Sequence, residues 1–205
     1  MATLNLHWPQ GEALHGEARL PASKSVANRL LVLGAQRPQF ALRAGELGED
    51  TQVFTEALRQ LSYDVAHSGE HIQLTRPRQF PAAPQPLDLG AAGTAARFLT
   101  ALCCVLPVEA ELRGRPRLHQ RPIASLFQTL RRAGANIEFL EQDGRFPVRI
   151  RGQEGWQPGD LRLDARASSQ FLTALLLLGP SLPVGTSLEL RPPIIASPAY
   201  AELTR

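Results

Sequence analysis

An internal repeat of about 70 residues constrains the fold of this chain more than any other feature of its sequence. Helical segments begin near residues 25, 94 and 169, and second helices begin near residues 50, 123 and 197. Extended segments precede, separate and follow these helices. Each unit is therefore predicted to have the order β-α-β-α-β-β, which indicates an α/β fold assembled from repeated units.

The first two units are predicted to span about residues 16–85 and 86–155. Apolar residues at helical spacing predict a helix over 24–35, and an acidic start predicts another over 50–61. The other predicted elements are helices at 93–105, 123–133, 168–178 and from Ser197, a linker at 77–86, and strands at 18–22, 40–44, 63–67, 71–75, 87–90, 110–113, 136–140, 147–151, 161–164 and 187–190.

The third unit, about residues 156–205, contains one strand, one helix, a second strand and the beginning of a second helix. By comparison with the other units, roughly 30 residues that would form two closing strands are absent. Because a sheet without its last strands exposes unpaired backbone, we expect the chain to be a truncated part of a longer protein. A naturally shorter unit closed by another chain is the alternative.

Composition favours a cytoplasmic protein that interacts with anions. The net charge is +3, with 22 Lys and Arg against 19 Asp and Glu. The two cysteines, Cys103 and Cys104, lie in an apolar helical run and are predicted to be core residues in a reducing compartment. Residues 1–15 lack the apolar core of a secretion signal, and the apolar stretch at 171–180 is too short to span a bilayer.

Small and polar residues stand at the start of the first helix of each unit. The three sets are Lys24-Ser25, Gly93-Thr94 and Ser168-Ser169-Gln170. A helix start presents unpaired N–H groups and a partial positive charge, which favours phosphate and carboxylate groups. The near-equal spacing of these sets predicts one site for a ligand that carries both groups.

Arginines add a second signal for anions. Arg29 follows Ser25 by one helical turn, and Arg121 belongs to an arginine-rich segment over 113–122. Guanidinium groups bind carboxylate and phosphate in a fork, but the same segment also fits a nucleic-acid patch. No aromatic residue interleaves these arginines, which disfavours stacking on single strands. We predict no metal site, because His67 and His71 flank a turn rather than share a helix face.

Five segments together resemble the EPSP synthase (3-phosphoshikimate 1-carboxyvinyltransferase) family over residues 16–205. They are KSVANR (24–29), LGAAGTAAR (89–97), RPRLHQRP (115–122), SSQFLTALL (168–176) and SPAY (197–200). The resemblance covers the N-terminal half of such an enzyme. It implies an inside-out barrel domain at 16–205, an N-terminal segment 1–15 that packs toward a missing C-terminal domain, and a substrate cleft between the domains.

The resemblance also implies roles for residues on this domain's wall of that cleft. Lys24 would contact both substrates, and Ser25 and Arg29 would hold shikimate-3-phosphate. Gly93 and Arg121 would bind phosphoenolpyruvate.

The remaining implied residues surround the phosphate of shikimate-3-phosphate. Ser168, Ser169 and Ser197 would bind this phosphate. Gln170 would lie between the two ligands, and Tyr200 would lie close to the phosphate.

The implied reaction transfers the enolpyruvyl group of phosphoenolpyruvate to the 5-hydroxyl of shikimate-3-phosphate, without a cofactor. In the family the acidic and lysine catalytic groups come from the second domain, so we expect no turnover from this chain alone. Two positions depart from the family pattern. Ala91 replaces a frequent Asn, which leaves glyphosate sensitivity open, and Arg115 replaces an acidic or small residue, for which we have no physical account.

Two alternatives remain. The related UDP-N-acetylglucosamine carboxyvinyltransferases usually carry Lys-Asn at the first helix and a reactive Cys in the loop, whereas this chain has Lys24-Ser25 and Leu118-His119-Gln120. A basic nucleic-acid-binding module, with no enzymatic role, is the second alternative. Its affinity would fall steeply with salt across unrelated sequences.

Overall fold

The computed structural model of the chain describes residues 22–204. The predicted N-terminal segment 1–15 and the strand predicted over 18–22, apart from Ala22, lie outside the described residues. Within the described part the element order repeats as predicted, and the fold is mixed α/β.

The first unit contains two helices and a three-stranded sheet. Its elements are α1 (Lys24–Ala35), β1 (Gln39–Arg43), α2 (Glu49–Gln60), β2 (Asp64–Ser68) and β3 (His71–Thr75). The strand order is β1-β3-β2 and both pairings are antiparallel. The β2–β3 hairpin turns at Gly69, whose φ of 56° suits glycine.

The second unit has a four-stranded sheet. Its elements are β4 (Gln85–Asp88), α3 (Gly93–Val105), β5 (Glu109–Arg113), α4 (Pro116–His119), α5 (Ala124–Arg132), β6 (Asn136–Phe139) and β7 (Val148–Arg151). The order is β4-β5-β7-β6, in which β4 and β5 are parallel and the other neighbours antiparallel. The sheet therefore has two parallel and two hairpin strands, as a β-α-β-α-β-β unit requires.

The third unit has two strands in its described part. Its elements are β8 (Leu161–Ala165), α6 (Ser169–Leu176), a 3₁₀ turn at Gly179–Ser181, β9 (Leu188–Ile195) and α7 (Pro198–Glu202). Strands β8 and β9 pair in parallel, as β4 and β5 do. Within residues 22–204, no helix has both the length and the apolar character needed to cross a membrane.

The main differences from the sequence prediction are the start of β4, the additional helix α4 and the length of β9. Strand β4 begins inside the predicted linker, because Gln85 pairs with Ala110 of β5. The short helix α4 was not predicted. Strand β9 continues to Ile195 through Pro192 and Pro193, which an edge strand tolerates because one side of its backbone needs no ladder partner.

Helix α3 is the centre of the core. All thirteen of its residues are buried, and it packs against α1, α2 and α6. Apart from Arg97, the residues of its sequence GTAARFLTALCCV are small or apolar on every face, as a helix surrounded by other elements requires. Cys103 and Cys104 are buried free thiols, which confirms their prediction as core residues. Because α3 contacts α1 on one side and α6 on the other, it connects the first helices of the three units.

Candidate functional site

Arg97 connects three of the segments that the sequence marks as anion-binding. It lies on α3, is 5% exposed, and its Nη1 donates to Oε1 of Gln170 at 2.7 Å and to the Gly93 carbonyl at 3.1 Å. Its Nη2 donates to the Pro122 carbonyl at 2.8 Å. One guanidinium therefore joins the start of α3, the start of α6 and the end of the arginine-rich segment.

Arg121 lies against Gly93 at the same place. Its Nη1 approaches the Ala91 carbonyl at 3.5 Å, and a Cβ placed on Gly93 would overlap that same nitrogen. Only glycine gives the guanidinium this close approach to the backbone. The two residues predicted to share phosphoenolpyruvate are thus in direct contact.

Positive charge accumulates between Arg97 and Arg121. Burial, followed by repulsion from Arg121, lowers the pKa of Arg97 from 12.5 to about 10, while Tyr200 acts in the opposite direction. Among residues 22–204, neither guanidinium forms an ion pair with a carboxylate, and Nε of Arg97 has no hydrogen-bond partner. An anion placed between them would relieve the repulsion.

Arg29 makes corresponding contacts on α1, again from within the core. It is 4% exposed, and its donors reach the carbonyls of Ser25 at 2.8 Å and Tyr200 at 2.7 Å, and the Thr204 hydroxyl at 3.0 Å. Its guanidinium also stacks over the Tyr200 ring at 4.2 Å. The predicted pair Ser25 and Arg29 shares one helix face, and that face is fixed to α7.

The hydroxyl groups of the third unit stand at the starts of α6 and α7. Ser168 is the N-cap of α6, and its Oγ accepts from the backbone N–H of Gln170 at 3.2 Å. Ser169 begins the helix and is buried. Ser197 is the residue that precedes α7, and the hydroxyl of Tyr200 is buried without a hydrogen-bond partner in the described part of the chain.

Lys24 is at the start of α1 and faces a carboxylate of its own unit. Its Nζ lies 3.3 Å from Asp50 at the start of α2, and its side chain is half exposed. The ion pair connects the start of α1 to the start of α2.

The arginine-rich segment does not act as one cluster. Arg113 pairs with Glu111 at 2.6 Å on the sheet surface, whereas Arg121 lies at Gly93. Arg113 and Arg149 hold the pKa of the Glu111 carboxyl below its usual range. The neighbouring cations of this sheet face, Arg149 and Arg151, are also paired with glutamates.

The sequence prediction included Arg97 within the second motif but gave it no role. The available signal was its position, four residues after Gly93, as Arg29 is four residues after Ser25. The acceptors at Pro122 and Gln170 are 25 and 73 residues away in the sequence, so local patterns could not reveal them.

Comparison with known proteins gives one consistent family. The profile described as EPSP synthase (3-phosphoshikimate 1-carboxyvinyltransferase) matches residues 9–203. Proteins with the name 3-phosphoshikimate 1-carboxyvinyltransferase from Bordetella pertussis and Bordetella petrii are 41% and 38% identical, over 86% and 97% of this chain. These alignments cover 40% and 46% of the relatives, so the chain spans less than half their length.

A solved structure gives the same result for the fold. The EPSP synthase of Acinetobacter baumannii superposes with a TM-score of 0.72 at 25% identity, covering 91% of this chain and 42% of that one. The inside-out α/β architecture of that enzyme is therefore the architecture of residues 22–204.

Proposed function

The chain belongs to the EPSP synthase family, and on that premise we propose that it forms the shikimate-3-phosphate and phosphoenolpyruvate binding wall of an enolpyruvyl transfer site. We further propose that residues 16–205 act as a single domain. The reaction would move the enolpyruvyl group of phosphoenolpyruvate to the 5-hydroxyl of shikimate-3-phosphate, with release of phosphate.

The observation that carries the proposal is the contact between Arg97, Gly93 and Arg121. Two neighbouring guanidiniums lack a carboxylate partner among residues 22–204, and both come close to the backbone at residue 93 because that residue has no side chain. Preorganised cations of this kind stabilise a multiply charged anion at little reorganisation cost. Phosphoenolpyruvate, which carries a phosphate and a carboxylate, has the required chemistry.

The start of α6 supports the second ligand. In the proposal, Ser168 and Ser169 bind the phosphate of shikimate-3-phosphate together with Ser197. The buried Tyr200 hydroxyl, which has no partner in the described residues, would lie close to that phosphate. The positive end of the α6 dipole adds to the attraction for the phosphate.

Residues of α1 complete the proposed wall. Lys24 would contact both ligands, and Ser25 and Arg29 would hold the shikimate ring substituents. Because the guanidinium of Arg29 is already fixed by α7, it would meet its ligand without losing further side-chain freedom. Gln170 would lie between the two ligands and donate to both.

These groups would bind and neutralise anions, and they supply little acid–base chemistry. Protonation of the methylene carbon and removal of the proton from the 5-hydroxyl need groups that titrate near neutrality. We therefore expect ligand binding by this chain to be measurable separately from turnover.

Calorimetric titration of the 205-residue chain with shikimate-3-phosphate tests the proposal. We expect saturable binding that Ser169→Ala weakens by about tenfold, because one charge-assisted hydrogen bond to phosphate is lost. Ser187→Ala is the matched control, since Ser187 bonds Asp160 in a distant turn and its loss should leave the affinity unchanged.

The comparison ligands are shikimate and inorganic phosphate, which should each bind far more weakly than shikimate-3-phosphate. No binding of shikimate-3-phosphate by the wild-type chain would reject the proposal. Binding of unrelated oligonucleotides with a steep salt dependence would instead support a nucleic-acid-binding module.

A further inference from the structure

We propose that Arg97 is a positioning residue that fixes the side-chain amide of Gln170 with its NH₂ group toward the ligands. The inference rests on the proposed function, because it assigns Gln170 a donor role in the same site. It also assigns Arg97 the task of fixing the backbone beside Arg121. No contact between Arg97 and a ligand is required.

The orientation of the amide follows from one hydrogen bond. Arginine has donors and no acceptor, so the atom of Gln170 that it contacts at 2.7 Å must be the carbonyl oxygen Oε1. The Nε2 group, with two donors, makes no hydrogen bond to any residue in 22–204. Gln170 is half-buried at the start of α6, and in the proposal its Nε2 donors face the ligands bound at that end of the helix.

The same guanidinium fixes the segment that carries Arg121. Its bond to the Pro122 carbonyl holds the backbone next to Arg121, while the Arg121 side chain stays exposed above Gly93. Arg97 therefore acts on both proposed ligand contacts from inside the core.

The parallel contacts of Arg29 and Arg97 support a positioning role. Arg29, Arg97 and Thr173 lie four positions after Ser25, Gly93 and Ser169, which are the second residue of α1 and the first residues of α3 and α6. Both arginines donate to the carbonyl one turn back and to an element of the third unit. The third position has no guanidinium, and Thr173 is fully buried there. The two arginines thus hold the third unit, which carries the proposed phosphate site.

The variants that test the inference are Arg97→Lys, Gln170→Glu, Gln170→Ala and the double variant Arg97→Lys/Gln170→Ala. Arg131→Lys is the matched control, since Arg131 stacks on Phe139 far from this cluster. Shikimate-3-phosphate affinity and melting temperature are measured for each. A lysine cannot reach three acceptors at once, so we expect Arg97→Lys to weaken binding at least fivefold.

Gln170→Glu separates positioning from structural support. A carboxylate still accepts from Arg97, now with charge assistance, so the melting temperature should stay or rise. The donors toward the ligand are lost and a negative charge faces the phosphate, so affinity should fall at least tenfold. Unchanged affinity in Gln170→Glu would overturn the assignment of Gln170 as a donor.

The double variant tests whether Arg97 acts through Gln170. We expect the affinity losses of Arg97→Lys and Gln170→Ala to be non-additive. The Kd of the double variant for shikimate-3-phosphate should be at most about twice the Kd of whichever single variant binds less tightly. Fully additive losses would overturn the inference while leaving the proposed function intact. Absence of binding in the wild-type chain would reject the proposed function and the positioning role together.

A spectroscopic measurement on the ligand-free chain keeps the inference testable if a variant binds poorly. The side-chain ¹H–¹⁵N pair of Gln170 is assigned as the pair that disappears in Gln170→Glu. We expect it to lie apart from the exposed glutamines in the wild-type chain and to move toward them in Arg97→Lys. An unchanged pair in Arg97→Lys would show that Arg97 does not hold the amide.

Discussion

Helices α1 and α3 occupy equivalent positions in their units, but they differ in burial and in how their cations are paired. Seven of the twelve residues of α1 are buried, whereas all thirteen residues of α3 are. The cation at the start of α1, Lys24, has Asp50 beside it, whereas Arg97 and Arg121 have no carboxylate partner in the described part of the chain. The comparison teaches that each helix buries an arginine with no carboxylate partner among residues 22–204, and that the outer helix adds a half-exposed lysine whose charge is compensated.

The largest expected effect is a loss of folding stability at alkaline pH, caused by the two buried cysteines of α3. Burial raises the pKa of the Cys103 thiol from 9.0 to about 12 and raises that of Cys104 as well. The folded state holds both protons where the unfolded state has lost them, so stability is intact below pH 9 and falls as the pH rises above it. By pH 10 each thiol should lower the free energy of unfolding by about 1.4 kcal/mol, and the two together by about 3 kcal/mol.

Tyr63, which contacts the end of α1, is the group to compare with the cysteines of α3. Its hydroxyl donates to the Ala35 carbonyl at the end of α1, and burial raises its pKa above the ordinary 10.0. This group adds to the loss only above pH 10. The free energy of unfolding, measured with urea, should therefore decrease between pH 8 and 10 for Tyr63→Phe as it does for the wild-type chain. For Cys103→Ala/Cys104→Ala it should stay nearly constant over the same pH range. Equal slopes in all three proteins would contradict the prediction.

The next effect separates the two buried arginines. Arg29→Met removes three hydrogen bonds and a stacking contact, and we expect about 2 kcal/mol of lost unfolding free energy. Arg97→Met also removes three bonds, but it removes a charge that burial and the repulsion from Arg121 together disfavour by about 3 kcal/mol, from its lowered pKa. Its net change should lie within about 1 kcal/mol. Denaturant titration measures both, and a larger loss for Arg97→Met would reverse the comparison.

A smaller effect is expected at the first residue of α3. In Gly93→Ala the new methyl group overlaps the Arg121 guanidinium, which is a flexible side-chain end and can move away, and it lies 3.0 Å from Nη1 of Arg97. We expect stability to be nearly unchanged and the affinity for phosphoenolpyruvate, measured by calorimetry, to fall about tenfold. Gly159→Ala is the control, because no atom lies near its added Cβ. Equal affinity in both variants would remove Gly93 from the site.

The smallest effect concerns the compensated cation of α1. Asp50→Asn removes an ion pair in which Lys24 is half exposed, so the unfolding free energy should change by less than about 0.5 kcal/mol. The freed ammonium should bind shikimate-3-phosphate up to about twice as tightly. Glu56→Gln, which removes the exposed pair with Arg59, is the control and should leave affinity unchanged. A loss of affinity in Asp50→Asn would mean that Asp50 positions Lys24 rather than competing for it.

Local signals in the sequence determined the elements of this protein. The helix bounds of α1 and α3 match the prediction, because helical periodicity and small residues at a helix start depend only on residues that are close in the sequence. The β2–β3 hairpin follows from Gly69 for the same reason. The repeat predicted the unit order because each unit must bury one apolar face against the next.

The tertiary structure alone decided the strand order, the extent of β9 and the partners of the buried arginines. The Tyr200 carbonyl that Arg29 meets is 171 residues away, and the glutamine that Arg97 orients is 73 residues away. The packing of the helices determines which distant acceptor the long side chain of an arginine reaches. The same packing excludes the water that would otherwise accept hydrogen bonds from the guanidinium. The sequence therefore identified which residues could bind anions, and the packing of α3 between α1 and α6 determined which cations remain free to do so.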